Sequence, residues 1–402
     1  MTKILLWVLM LFLLKSGVEA VGTNLPRLVC GASDHEAAAE LSLAEAVIGL
    51  LAGAFLGSAF SSAASGLTGK RAEEAASGCR HLLVAAMACS LAGWAVGTWA
   101  GWQATASWVL ASAIVLSAVT ALLAADGSVR ACAALAGAAV LGALTPALVL
   151  LFVGRGAAEG LTARLAGNAA GALVGVAALA ATGRVRSGKV ALAGLRSLCI
   201  HGGHGIRASL YGLFGLAQLA LVNAFLGRSA AGCYGLLSAW YGVSSFATVG
   251  LAAYLQLLAA KEGPSVAARA GVRLGAPAAL LQGALLCWFL ESPTHALVLG
   301  LYGAADVVWC GCASILVGAG KPLAGVIRGA ALSVGLALAL TVGLLAAGAG
   351  LEGAVAGAVA HGLMQALVVF RAARSCWDGS PPVARAGAAS YDWGKGFHGD
   401  TA

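Results

Sequence analysis

Long apolar runs alternate with short polar stretches from one end of the chain to the other. Read as helices, the runs fall near 4–23, 41–64, 81–101, 104–125, 131–153, 165–183, 208–226, 233–258, 274–290, 297–319, 323–348 and 353–372. Most are close to the ~20 residues that a helix needs to cross the hydrocarbon of a bilayer. The pattern predicts an all-α membrane protein with about 12 transmembrane helices in two six-helix lobes. Residues 1–183 would form the N-terminal lobe, 184–207 a cytoplasmic connecting segment and 208–374 the C-terminal lobe. Residues 375–402 are polar, carry Pro381-Pro382 and read as a disordered cytoplasmic tail.

The polar stretches are not equivalent. With twelve spans, nineteen of the 24 Lys and Arg residues fall in the connections on one side. Only Arg27, Arg155, Arg164 and Arg228 fall in those on the other, and Lys15 lies inside the first span. Cytoplasmic loops retain Lys and Arg, so the split predicts both termini in the cytoplasm and the chain in the cytoplasmic membrane. Trp94, Trp99, Trp102 and Trp108 bracket the outer turn between the third and fourth runs, at the headgroup level that amphipathic aromatics favour. The segment Met1 to Ala20 also has the outline of a signal peptide: Lys3, an apolar run and small residues near Ala20. Lys15 and Glu19 interrupt that outline, and the run is needed to complete a six-helix half.

Composition narrows the function. The chain is 60% hydrophobic and 10% charged, against about 25% charged in soluble proteins, with mean hydropathy +0.91. Its net charge of +8 belongs to short loops beside anionic headgroups, so no nucleic-acid partner follows. There is no GxxxxGK[ST] phosphate loop, nucleophile elbow or HExxH motif. No enzyme activity, cofactor or metal site is expected. His201 and His204 are separated by glycines, and Cys310 and Cys312 point to different helix faces. An outer loop at 24–40, with Asp34, Glu36 and Glu40, is too short for the catalytic loop of a membrane glycosyltransferase.

Two patterns bear on architecture. Gly31-Ala-Ser33 followed by Leu41-Ser42 recurs as Gly227-Arg-Ser229 followed by Leu237-Ser238, an offset of 196. The repeat sits at the same place in each half and predicts halves of like orientation, related by an axis along the membrane normal. Glycines spaced by four, such as Gly53/Gly57, Gly93/Gly97/Gly101, Gly167/Gly171/Gly175, Gly325/Gly329 and Gly353/Gly357, predict closely packed helices.

Polar groups at membrane depth are the functional candidates, because each costs about 2.5–3.5 kcal/mol to insert when charged. Lys15, Arg27 and Arg207 lie in or beside the opening helices of the two halves. Together they would make a cationic cavity for a phosphate or pyrophosphate group, with Gln218 and Asn223 beside them. Glu19, Glu45 and Asp306 are the carboxylates placed to couple an ion. Lys15 and Glu19, one turn apart, could instead neutralise each other. Arg328 can snorkel, and His361 and Gln365 share one face of the last helix.

Residues Ser314 to Pro322, a long apolar helix, Gly350-Leu-Glu-Gly-Ala-Val-Ala-Gly357 and a closing helix ending in Arg371 and Arg374 resemble the multidrug/oligosaccharidyl-lipid/polysaccharide flippase superfamily. Gly205-Ile-Arg-Ala-Ser-Leu210 and Leu221 to Gly227 are similar to the start of its second half. The resemblance to its polysaccharide-export branch implies alternating access and flipping of a polyprenyl-pyrophosphate-linked oligosaccharide. Partners would then be that lipid-linked glycan, membrane lipids, and a polysaccharide polymerase and glycosyltransferases. The alternatives are a cation-coupled multidrug exporter of the same superfamily, using Glu19, Glu45 or Asp306, and a major-facilitator-type transporter. The basic motif of the latter is missing from Gly66 to Arg71.

Overall fold

A computed structural model describes residues 3–50, 87, 90, 91, 94, 95, 104–126, 128–181, 202–319 and 324–378. Apart from short turns these residues are helical, and none of them is in a strand. The helices are α1 (Lys3–Gly31), α2 (35–50), α3 (Ala104–Asp126), α4 (Val129–Phe152), α5 (Ala157–Ala181), α6 (Gly202–Leu226), α7 (Arg228–Ser244), α8 (Phe246–Glu262), α9 (Pro264–Phe289), α10 (Pro293–Gly318), α11 (Ala324–Ala346) and α12 (Gly350–Asp378). Among the described residues, eight helices are long and apolar enough to cross a membrane, or nine if α7 and α8 count as one broken span. The chain is an all-helical, multi-pass membrane protein, as the apolar pattern predicts. Most of the predicted second and third spans, the connection 184–201 and the tail after 378 lie outside the described residues.

Two departures from the predicted segments have local causes. The run at 233–258 is two helices meeting at 50°. At the junction Ser244 Oγ donates to the Tyr241 carbonyl (2.8 Å) and Ser245 Oγ to the Gly242 carbonyl (3.0 Å). Hydroxyls that bond back onto the preceding turn bend helices without interrupting an apolar pattern. The second departure is the predicted outer loop 24–40, which shrinks to Ala32–Asp34, because α1 runs through Thr23, Asn24, Pro26 and Arg27 to Gly31. Asp34 Oδ1 then accepts from the Glu36 amide (2.8 Å) at the start of α2. Arg27 is therefore a helical residue, not a loop residue beyond the first span. Trp94 and Trp108 lie with ring centroids 5.7 Å apart, while Trp99 and Trp102 fall outside the described residues.

Two groups of helices meet on α1. Within the first, α1 packs on α4, α4 on α5 and α3 on α5. Within the second, α8, α9 and α10 pack on one another, α12 packs on α10 and α11, and α6 lies against α7 and α11. α1 also packs along α7 and α8. Val8 and Phe12 of α1 share a buried cluster with Leu123 of α3 and with Tyr254 and Leu255 of α8.

Glycine makes these approaches possible. Lipid gives no hydrophobic drive between helices, so small residues that admit close backbone contact hold them together. Gly22 lies on Ala143 of α4, Gly167 on Gly142 and Pro146, and Gly175 on Val119. Across the two groups, Gly232 abuts the His35 carbonyl, Gly235 abuts Ser42 and Gly250 lies against Leu13. Of the predicted spacing-four sets, Gly167/Gly171/Gly175 is a packed ridge, whereas Gly325 faces open space.

Replacing Gly232 by Val drives a side chain into the His35 backbone. It should destabilise the detergent-solubilised protein by about 1–3 kcal/mol, the range for overpacked sites. A methyl group on Gly283 would meet nothing within 4 Å, so Gly283→Ala should leave thermal stability unchanged or raise it. Paired thermal-unfolding curves of the two variants check this.

Candidate functional site

A cavity of about 470 Å³ opens between the two groups of helices. That is within the ~300–1,000 Å³ usual for small-molecule sites. Arg27 of α1 and Ser42 and Glu45 of α2 form one wall. Tyr211 of α6, Tyr234 and Tyr241 of α7, and Tyr302 and Trp309 of α10 form the other.

The first wall carries charge. Glu45 Oε1 accepts from Arg164 Nε of α5 at 2.7 Å, an ion pair with both side chains largely buried. Arg27 donates through Nη2 to Asn24 Oδ1, and Asn24 Nδ2 donates to the Ala20 carbonyl (2.7 Å). The charged neighbours that act on Arg27 are Glu45 and Arg164. Its Nε is buried and has no hydrogen-bond partner among the described residues.

The second wall is phenolic. Tyr241 and Tyr302 pack ring to ring at 4.8 Å, and Tyr211 packs on Trp309 at 4.9 Å. The Tyr211 and Tyr302 hydroxyls meet at 2.5 Å. Behind them lies Asp306, only 5% exposed. Tyr241 donates to its Oδ2 (2.7 Å) and Cys310 Sγ to its Oδ1 (3.0 Å). Tyr302, Asp306 and Cys310 follow at i, i+4 and i+8, so the regular turn of α10 places all three on one face.

The structure sorts the sequence candidates. Arg27, Glu45 and Asp306 belong to the large cavity or stand directly behind its wall. Lys15 and Glu19 form an ion pair in a separate cavity of about 110 Å³, lined also by Thr23, Arg164 and Asn168. Lys15 and Arg27 thus face different spaces. Gln218 is fully buried, is not among the residues lining the large cavity, and donates to Thr341 Oγ1 (3.0 Å). Asn223 is exposed. Arg207 lies on α6, with its side chain outside the described residues, and His201 also lies outside them. His361 stacks on Phe214 at 4.0 Å, and Gln365 donates to Ser333 Oγ (2.7 Å). Arg328 is exposed. Among the described residues no three His, Cys, Asp or Glu side chains group to hold a metal.

Sequence reasoning missed the four tyrosines, and it placed Arg164 in an outer loop although α5 begins at Ala157. The repeat offset carried part of the missing signal. Ser42 and Ser238 both line the cavity, and Glu45 corresponds by the same offset to Tyr241.

No family model matches the chain, and no curated protein matches it. Solved structures do. A MATE structure in complex with Br-NRF aligns with TM-score 0.68 at 16% identity, over 94% of this chain and 99% of that one. A multidrug resistance MATE family transporter of the MOP superfamily in its outward-facing conformation aligns at 0.67 and 15%, over 94% and 98%. An inward-facing multidrug resistance MATE family transporter aligns at 0.55 and 14%, over 92% and 94%. At these identities the likeness establishes the fold.

Glu45→Gln leaves the Arg164 guanidinium without its carboxylate, and removing one partner of a buried pair costs about 3–5 kcal/mol. The double variant Glu45→Gln/Arg164→Gln should be less destabilised than Glu45→Gln alone. Chemical unfolding of the two singles and the double in detergent measures this coupling.

Proposed function

We propose that this chain is a secondary transporter that exports drug-sized amphipathic organic solutes across the cytoplasmic membrane, with both termini on the cytoplasmic side. The observation that carries this reading is the aromatic cavity between the two groups of helices, with the Asp306 carboxylate one hydroxyl behind its wall. Tyrosine and tryptophan faces attract organic cations. A carboxylate buried at membrane depth is costly unless it has a use.

In this mechanism the two lobes rock about the α1 seam and expose the cavity to one side, then the other. A solute shifts that equilibrium only as far as it binds the two states differently. The coupling cation, a proton or a metal cation, and the positive group of the solute compete for Asp306. Tyr241 relays between them, because its hydroxyl can donate to Asp306 while accepting from a cationic N–H in the cavity. Solute binding therefore favours release of the coupling cation, and the reverse.

The multidrug reading is preferred over transport of a polyprenyl-pyrophosphate-linked glycan. Such a headgroup calls for several converging cations, and Lys15, one of the three candidates, is neutralised by Glu19 and faces another cavity. The MATE structures named above, two of which are multidrug resistance transporters, favour the same choice.

Proteoliposomes with a pH or sodium gradient and a panel of fluorescent organic cations and zwitterions test the proposal. Wild type should move at least one of them down the coupling gradient. Asp306→Asn should lower the gradient-driven rate about tenfold or more, and Tyr241→Phe should lower it less. Full gradient-driven transport by Asp306→Asn would remove Asp306 from the mechanism. Flipping of a fluorescent lipid-linked oligosaccharide, with no organic solute moved, would replace this reading by the glycan one.

A further inference from the structure

Among the described residues, each wall of the cavity has one ionisable group with no partner of opposite charge within ion-pair distance: a guanidinium, Arg27, on one side and a carboxyl, Asp306, behind the other. Arg27 and Glu45 line the α1–α2 wall, and Arg164 of α5, which lines the smaller cavity, reaches Glu45 from outside that wall. Glu45 is committed to Arg164 at 2.7 Å. Arg27 is left with the neutral amide of Asn24 and with a buried Nε that has no partner among the described residues. A guanidinium does not deprotonate in a protein, so this charge persists. On the α7–α10 wall, Asp306 receives hydrogen bonds from Tyr241 and Cys310, both uncharged groups. No ion pair joins Arg27 to Asp306 among the described residues.

At the sequence offset of 196 the two walls carry different residues. The counterpart of Arg27 is Asn223, which is exposed, and the counterpart of Glu45 is Tyr241. Equivalent positions thus present charge on one side and phenol on the other. Asn24 fixes the charged end in place: it is tied to the Ala20 carbonyl and wedged against Gly242 of α7. A solute with a single charge would answer one of these walls and leave the other bare, which is costly in a low-dielectric space.

We propose, resting on the transport reading above, that the cavity selects zwitterions: solutes with an anionic and a cationic group on one scaffold. The anion, a carboxylate or phosphate, takes charge-assisted hydrogen bonds from Arg27. The cation lies against Tyr241 and Tyr302, with the Tyr241 hydroxyl passing its charge to Asp306. The same chemistry is found in soluble amino-acid-like molecules and in the headgroup of phosphatidylethanolamine.

The test uses the full chain in nanodiscs of phosphatidylglycerol, which supply no zwitterion. Matched sets on one ring system are titrated: tryptophan, tryptamine and indole-3-propionate, with the corresponding phenyl and quinolyl sets. The zwitterion of at least one set should bind about tenfold more tightly than both singly charged members. Arg27→Gln should abolish the zwitterion's advantage over the cation, and Arg27→Lys should restore part of it. Equal or tighter binding of a singly charged member in every set, or no binding by any member, overturns the proposal. Repeating the titration with phosphatidylethanolamine in the disc separates the sources: competition assigns the site to the lipid headgroup, and its absence to a soluble zwitterion. Gradient-driven transport of single cations without zwitterion preference would sink this inference and keep the transporter. Zwitterion preference in a protein that transports nothing would do the reverse.

Discussion

Backbone contact through glycine is the constraint on which the rest of this structure depends. In hydrocarbon there is no water to expel from between two helices, so shape has to supply the attraction. Gly232 and Gly235 bring α7 onto the start of α2, and Gly250 brings α8 onto α1. Those contacts set how far apart the two groups of helices stand. The 470 Å³ space beside them is what remains once the glycine-bearing surfaces have met.

Polar residues are distributed around this seam according to whether they can be satisfied nearby. Lys15 finds Glu19 within one turn, Glu45 finds Arg164 on another helix, and Gln218 finds Thr341. The first pair lies within α1, the second ties α2 to α5 and the third ties α6 to α11. Arg27 and the Tyr241–Asp306 pair border the cavity, and they are where bonding capacity or charge remains.

The fold was largely legible in the sequence because lipid imposes a coarse requirement. A span must be apolar for about twenty residues, and a run of that kind can be read without knowing its neighbours. What could not be read was anything decided between helices. The bend at Ser245 interrupts no apolar run, so 233–258 reads as one helix. Thr23, Asn24 and Arg27 look like a loop until α1 is seen to bury them against protein. The charged candidates Arg27, Glu45 and Asp306 were visible because charge is rare at such depth. The tyrosines were not, since an aromatic residue in an apolar run reads as core. Only the i, i+4 placement of Tyr302 and Asp306, together with the repeat offset linking Glu45 to Tyr241, could have pointed to them.

At the outer end of the seam, Arg228 of α7 lies 3.3 Å from Glu40 and 3.7 Å from Glu36 of α2, and all three side chains are well exposed to solvent. Ion pairs of this kind contribute about 0–1 kcal/mol, and at physiological ionic strength the field of each charge fades over roughly 8 Å. The charged contact between α7 and α2 is therefore shallow in energy and sensitive to ionic strength. A deep ion pair would add a fixed restraint there, whereas a shallow, salt-screened one leaves the hold between α7 and α2 to the glycine contacts at Gly232 and Gly235.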